Sequence, residues 1–174
     1  MGTAYNDALG RASTPNSFPA SGGGTYVAGV YNQGGASAPS GTLTLDGQND
    51  PNSVFIFQIG GAFAPNAQML VVNGAQSGNV FWRVNGAVAP TAGSTTVGTV
   101  MANGAFSLGE GATVNGRVLV TAAGTFSGNS ITTTSPMTNP VAPTGVAGTV
   151  ANTELVVSWT LPASTGGSAD WAGS

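Results

Sequence analysis

Residues 94–111 read STTVGTVMANGAFSLGEG, and the next 18 residues, 112–129, read ATVNGRVLVTAAGTFSGN. The following pairs of residues coincide at this offset of 18: Gly98 and Gly116, Val100 and Val118, Met101 and Leu119, Ser107 and Thr125, Leu108 and Phe126. Each copy contains short β-branched runs separated by Gly, Asn and Asp-like corner residues. A repeat of this length predicts one coil of a β-solenoid, in which successive copies stack as parallel strands.

Looser copies of the repeat come earlier in the chain, at 54–72 and 79–90. Asn-Gly pairs at 73–74, 85–86, 103–104 and 115–116 are also a signal of two-residue hairpin turns, so an antiparallel β-sandwich is the alternative. Their recurrence at matching points of successive copies favours solenoid corners with left-handed backbone angles. We therefore favour the solenoid.

Secondary-structure signals predict a mainly β chain with one short helix. Tyr5, Ala8, Leu9 and Ala12 have helical spacing, which predicts a helix over 3–12. Strands are predicted at 42–45, 54–59, 69–72, 80–84, 95–102, 105–108, 114–120 and 125–126. The strand at 54–59 is apolar on both sides, so we expect it to be covered on both sides.

The composition excludes several classes of function. Charged residues make up 5% of the chain, against roughly 25% in an ordinary domain. With 3 cationic residues there is no basic patch for nucleic acid. The sequence has no His and no Cys, which removes the usual zinc, copper and iron sites and the His-dependent catalytic triads. No cofactor is expected.

Asp46 and Asp50 are the closest pair of carboxylates, and they invite an acid–base or calcium interpretation. The surrounding stretch, DGQNDPN, has the composition of a turn, so we interpret both as structural corner residues. Arg83 and Arg117 are expected to bury their stems and pair at the solenoid edge. Phe55, Phe57, Phe81 and Trp82 are expected in the core or against the helix rather than in a sugar-stacking strip.

Several blocks of the sequence resemble the bacterial and fungal ice-binding proteins. The blocks are 43–60, 73–76, 79–84 and 111–119, and the resemblance extends over 3–133. It implies a right-handed, discontinuous β-solenoid of triangular cross-section, with a flanking α-helix and a flat exposed face that binds ice. The family begins with further strands and a longer helix, so we expect this chain to lack that part and most of the helix.

Candidate ice contacts are the short hydroxyl side chains expected at outward positions. They are Thr91, Ser94, Thr95, Ser107, Thr113 and Thr125. The resemblance implies a Thr-Ala/Gly-x-Thr/Asn pattern, which 91–94 approximates, and we align 110–113 with it although Glu110 replaces the Thr. Stacked coils repeat about every 4.8 Å, and Thr is stiff at χ1, so such a face could match a lattice of water.

The end of the chain, 142–168, resembles the first two strands of a fibronectin type III domain. We therefore expect a partial ice-binding solenoid domain at 1–134, a linker at 135–143 and a truncated fibronectin-like domain at 144–174. The linker contains Pro136, Pro140 and Pro143.

The expected function is adsorption to ice crystals, with no reaction catalysed. The expected partners are the ice surface and other domains of a larger surface protein, and the expected location is extracellular or at the cell surface. One alternative is an adhesin or spacer module built on the same solenoid. Another is a carbohydrate-binding or carbohydrate-cleaving solenoid, which would need aromatic and acidic residues clustered on one face.

Overall fold

A computed structural model describes residues 2–13, 17–126, 128–132, 144–151 and 154–160. Its contacts divide the chain into two compact units, 1–134 and 135–174. The first unit contains these elements: α1 Gly2–Gly10, β1 Gly24–Val27, β2 Gly29–Gln33, β3 Ser40–Asp46, β4 Phe55–Ile59, β5 Asn66–Val72, η1 Ser77–Asn79, β6 Val80–Val84, β7 Thr95–Ala102, β8 Phe106–Ser107, β9 Thr113–Val120, β10 Gly124–Thr125 and β11 Ser130–Thr132. The prediction of a mainly β chain with one short helix is confirmed for this unit.

Every strand pair of the first unit is parallel, which excludes the antiparallel sandwich. The strands stack as a solenoid with three faces. The ladder face consists of β1, β3, β5, the first part of β7, the first part of β9 and β11. The helix face consists of β2, β4, β6 and the second parts of β7 and β9. The third, which we call the alanine face, consists of β8, β10 and a line of isolated bridges.

Coil length varies along the solenoid. On the alanine face Val88 pairs with Phe106 at an offset of 18 residues, and the next coil keeps that offset. Phe63 pairs with Val88 at 25 and Ser37 with Phe63 at 26. The extra residues form two stacked corner insertions, 47–54 and 73–79, where the chain passes from the ladder face to the helix face. They explain why the repeat is clear only in the last coils.

The interior is filled by a column of aromatic rings. The rings of Phe57 and Trp82 stack at 4.1 Å between centroids, and Phe63 continues the stack at 4.8 Å from Trp82. The Trp82 Nε1–H donates to the Val97 carbonyl at 2.8 Å, so the indole is buried without an unpaired donor. Phe18 closes the column, and its full burial was not predicted. The predicted core role of these aromatics is confirmed.

Helix α1 covers the outer side of the helix face. Ala8 packs with Ile56 and Met101 in a second apolar cluster that also includes Tyr5 and Phe81. The predicted cover over the doubly apolar strand is therefore confirmed.

The end of α1 is held by a side chain from β4. Gln58 is 4% exposed, and its Nε2 donates to the carbonyls of Ala8 and Arg11, both at 2.8 Å. Its Oε1 accepts from the Ser13 hydroxyl at 2.8 Å. Because the last carbonyls of a helix lack partners within the helix, this amide supplies a cap from a distant strand.

The corner between the ladder and helix faces is made by stacked glycines in the last coils. Gly98 pairs with Gly116, and a Cβ on Gly116 would overlap the Gly98 carbonyl. The prediction of left-handed Asn-Gly corners is correct only at Asn73 and Gly74, with φ of 49° and 82°. The pair at 115–116 instead lies inside β9, so Asn-Gly does not mark one recurring corner.

Two strands were missed before residue 42, β1 and β2, because their sequences are rich in Gly and Tyr rather than in alternating aliphatic residues. In the second unit, β12 Thr144–Ala151 and β13 Glu154–Thr160 pair antiparallel. The predicted fibronectin-like assignment stays a prediction. Within the described residues no helix is long and apolar enough to cross a membrane.

Candidate functional site

The ladder face carries a row of exposed or partly exposed polar side chains, one from each successive coil. Strand register places the members of this row side by side: Thr42, Gln68, Thr95, Thr113 and Ser130. Their neighbours along the strands, such as Leu43, Met69 and Val114, point into the core. Alternation on a parallel sheet thus produces a polar row with the spacing of the coils, about 4.8 Å.

Side-chain hydrogen bonds connect the middle of this row. The Thr113 and Thr95 hydroxyl oxygens lie 3.3 Å apart, and the Thr95 hydroxyl lies 2.8 Å from Gln68 Oε1. Gln68 Nε2 donates to the Gly93 carbonyl at 2.9 Å. The three side chains are therefore held in one geometry rather than rotating independently.

A turn at 91–94 leads into the ladder face. Thr91 lies at the edge of the face, and its hydroxyl donates to Asn66 Oδ1 at 2.9 Å. Ser94 is only 2% exposed, and its hydroxyl donates to the Thr91 carbonyl at 2.7 Å. The expectation that Ser94 points outward is wrong, because this side chain closes the turn from inside.

The expected alignment of 91–94 with 110–113 is also wrong, by one residue. Thr113 pairs with Thr95, and the turn that corresponds to 91–94 is 109–112, closed by a bond from Ala112 N–H to the Gly109 carbonyl at 3.0 Å. Glu110 is exposed in this turn, at the edge of the ladder face. Thr95 and Thr113 are thus in one row, as equivalent outward positions of consecutive coils.

Ser107 and Thr125 pair with each other as predicted, but on the alanine face. The six candidate residues therefore do not form one site. Thr91, Thr95 and Thr113 belong to the ladder face, Ser107 and Thr125 to the alanine face, and Ser94 is buried.

The alanine face is built by a six-residue repeat that the strand patterns did not detect. The segments 34–39, 60–65, 85–90, 103–108 and 121–126 read GGASAP, GGAFAP, NGAVAP, NGAFSL and TAAGTF. The fourth residue of the middle three segments is buried, and its neighbours on both sides are exposed or partly exposed. Two rows of outward Ala, ending in Ser107 and Thr125, result. Aligning the GA-x-A motif by itself would have revealed this face.

The carboxylates at the first corner insertion have structural roles. Asp46 Oδ1 accepts from the Gln48 N–H at 2.8 Å and from Asn73 Nδ2 at 2.9 Å. These two bonds, the backbone one first, hold the pKa of the Asp46 carboxyl below its usual range. Asp50 accepts from the Asn52 N–H at 2.8 Å. Among the described residues, no group of three or more His, Cys, Asp or Glu could hold a metal ion.

The two strand arginines lie on the helix face, not on the ladder face. Arg83 is 8% exposed, donates to the Ile59 carbonyl at 3.4 Å and lies 4.5 Å from the centre of the Tyr5 ring. This confirms the expected buried stem and carbonyl partner. Arg117 is exposed.

A parallel solenoid with a covering helix and a flat, low-charge face defines a class of surface-binding rather than catalytic folds. The family described as Ice-binding-like matches residues 1–132, and the chain belongs to this family.

Individual relatives agree with this assignment. Ice-binding protein 1 of Shewanella frigidimarina is 40% identical over 120 residues, which are 62% of this chain and 13% of that protein. An ice-binding protein of a Colwellia species is 35% identical over 136 residues, 75% of this chain and 53% of that protein. The chain thus spans about half or less of the length of these relatives.

Solved structures show the same fold. The ice-binding protein of the Antarctic ascomycete Antarctomyces psychrotrophicus superposes with a TM-score of 0.72 at 33% identity, covering 76% of this chain and 68% of that one. The corresponding domain of the Shewanella protein gives a TM-score of 0.71 at 33% identity, covering 76% and 59%. These matches give no support to the adhesin or spacer alternative.

Proposed function

We propose that this chain binds ice crystals through the ladder face and so slows ice growth and recrystallisation. The observation that carries the proposal is the row of short polar side chains running in register across consecutive coils. Ice is an extended lattice, so a surface that binds it must itself repeat regularly. Stacked parallel strands supply a fixed repeat of about 4.8 Å in one direction and about 6.6 to 7 Å along each strand.

Thr is suited to such a surface for reasons of entropy and shape. Its β-branched side chain is stiff at χ1, so little freedom is lost when Thr95 and Thr113 contact the crystal. Its methyl group restrains neighbouring water, and its hydroxyl joins an ordered water layer. The surface also carries few charges, which would compete by ordering water around themselves.

Adsorption slows growth without any chemical reaction. Between adsorbed molecules the ice front must bulge outward, and the added curvature makes further freezing less favourable. No bond is made or broken in this process, and no cofactor is needed. Support for the proposal in this chain comes from its family membership and from the relatives named as ice-binding proteins.

The test is thermal hysteresis and ice recrystallisation inhibition by the purified chain. Thr95→Tyr places a bulky ring in the row, and Thr121→Tyr makes the same change at an exposed Thr outside the ladder face. We expect the parent and Thr121→Tyr to be active and Thr95→Tyr to lose most activity, with equal melting temperatures. A folded but inactive parent would contradict the proposal.

We also infer that the chain acts outside the cell, since external water is where extended ice crystals grow and the low charge suits contact with ice. The second unit is proposed to belong to a fibronectin-like module of a larger surface protein, supported by the antiparallel pair β12 and β13. Fractionation of the native cells, with an antibody to the solenoid, tests the location. Recovery only in the cytosol would contradict it.

A further inference from the structure

Gln68 has a side-chain orientation that its neighbours determine. Its Nε2 lies 2.9 Å from the Gly93 carbonyl oxygen, which can only accept a hydrogen bond. The nitrogen end of the amide must therefore face Gly93, and Oε1 must face Thr95. The usual ambiguity between the two ends of a Gln amide is removed by this contact.

The orientation of Gln68 dictates the direction of the next two bonds. Oε1 can only accept, so the single hydroxyl proton of Thr95 points to it, at 2.8 Å between the oxygens. With that proton used, Thr95 can only accept from Thr113, at 3.3 Å. The order of donation is therefore Thr113 to Thr95, Thr95 to Gln68, and Gln68 to the Gly93 carbonyl.

The same direction holds at the edge of the face. The Thr91 hydroxyl uses its proton toward Asn66 Oδ1 at 2.9 Å. Hence the three Thr hydroxyls of the ladder face that have partners here all spend their protons within the protein. What remains toward solvent is lone pairs, at least one on each oxygen.

We propose that Gln68 is a positioning residue that sets the hydrogen-bond polarity of the ladder face, so that Thr95 and Thr113 present acceptors to ice. This inference rests on the proposed function. The ligand it specifies is a layer of crystal-surface water whose O–H groups point toward the protein. Because the hydroxyls are already fixed, binding does not have to select one of their three staggered orientations.

The experiment is a double-mutant cycle on Gln68 and Thr95. Gln68→Met keeps the length of the side chain and removes its acceptor, Thr95→Val keeps the shape and removes the hydroxyl, and the third variant combines them. Gln76→Met, in the second corner insertion, is the matched control. The first readout is the protein concentration that gives half-maximal inhibition of recrystallisation. The second is the NMR signal of the Thr95 hydroxyl proton near 0 °C.

We expect Gln68→Met to need roughly three to nine times more protein, a factor of about three for each released hydroxyl rotor. It should also lose the slowly exchanging Thr95 hydroxyl signal, while Gln76→Met changes neither readout. In the Thr95→Val background, Gln68→Met should add little further loss, because its effect passes through Thr95.

Undiminished activity of Gln68→Met in a folded protein would overturn the inference, and so would independent, additive losses in the cycle. A parent that shows the hydroxyl signal but no ice activity would instead contradict the proposed function. An active parent without a protected Thr95 hydroxyl would contradict only the polarity of the face.

Discussion

The ladder face and the alanine face belong to the same stack of coils but offer water very different chemistry. Ladder-face strands such as β3 and β5 are 7 residues long, whereas β8 and β10 on the alanine face have 2 residues each. The ladder face holds hydroxyls in a hydrogen-bonded row. The alanine face presents methyl groups until Ser107 and Thr125. Regular spacing is thus common to both faces, and fixed hydroxyls distinguish one of them.

The comparison assumes that both faces depend on one rigid coil spacing, and Gly116→Ala should break that spacing. The added Cβ would overlap the Gly98 carbonyl of the coil beneath, which is backbone and cannot rotate away. We expect a loss of roughly 3 kcal/mol or more in unfolding free energy, measured by urea denaturation. Asn115→Ala, one residue earlier and exposed, is the control and should cost far less. Equal stability of the two variants would show that the corner is not tightly stacked.

Thr113→Tyr should remove most ice activity while leaving the fold intact. The ring would project from the middle of the row and keep its neighbours away from the crystal. Because Thr113 is on the surface, the free energy of unfolding should stay within about 0.5 kcal/mol of the parent. Thermal hysteresis and a circular dichroism melt measure the two effects. Full activity would remove Thr113 from the contact.

Gln58→Leu should weaken the helix face without acting on the ladder face. It leaves the buried carbonyls of Ala8 and Arg11 without their shared donor, which we expect to cost roughly 1 to 3 kcal/mol. The helical dichroism signal should melt below the main transition, and ice activity in the cold should persist. Gln76→Leu serves as the control. An unchanged melt would mean that α1 is held by its apolar contacts alone.

Thr125→Tyr should have the smallest effect on ice activity. Thr125 is exposed on the alanine face, so the same bulky change is made on the same solenoid but off the ladder face. We expect most of the thermal hysteresis to remain. If this variant lost as much activity as Thr113→Tyr, the alanine face would have to share the contact.

Much of the fold could be predicted because the last coils repeat at a constant offset. Gly98 with Gly116 and Ser107 with Thr125 pair as the sequence alignment predicts. The earlier coils were harder, since the corner insertions change their length. The alanine face was missed because isolated bridges of Gly, Ala and Pro carry no β-branched pattern.

The candidate site was predicted only in part. A register error of one residue exchanges inward and outward positions, which is why Ser94 was expected on the surface although it is buried. Gln68 was not a candidate at all. Its contact with Thr95 joins residues 27 apart, across an insertion, and no local pattern indicates it.

The most direct test of the account is to ask which face the crystal covers. The sequence has no Cys, so Asn115→Cys on the ladder face and Ala105→Cys on the alanine face each provide a single thiol. The measurement is the rate of thiol alkylation in an ice slurry relative to the same solution just above its melting point. We predict strong protection of position 115 and none of position 105. Protection of position 105 alone would contradict the central claim and assign ice binding to the alanine face.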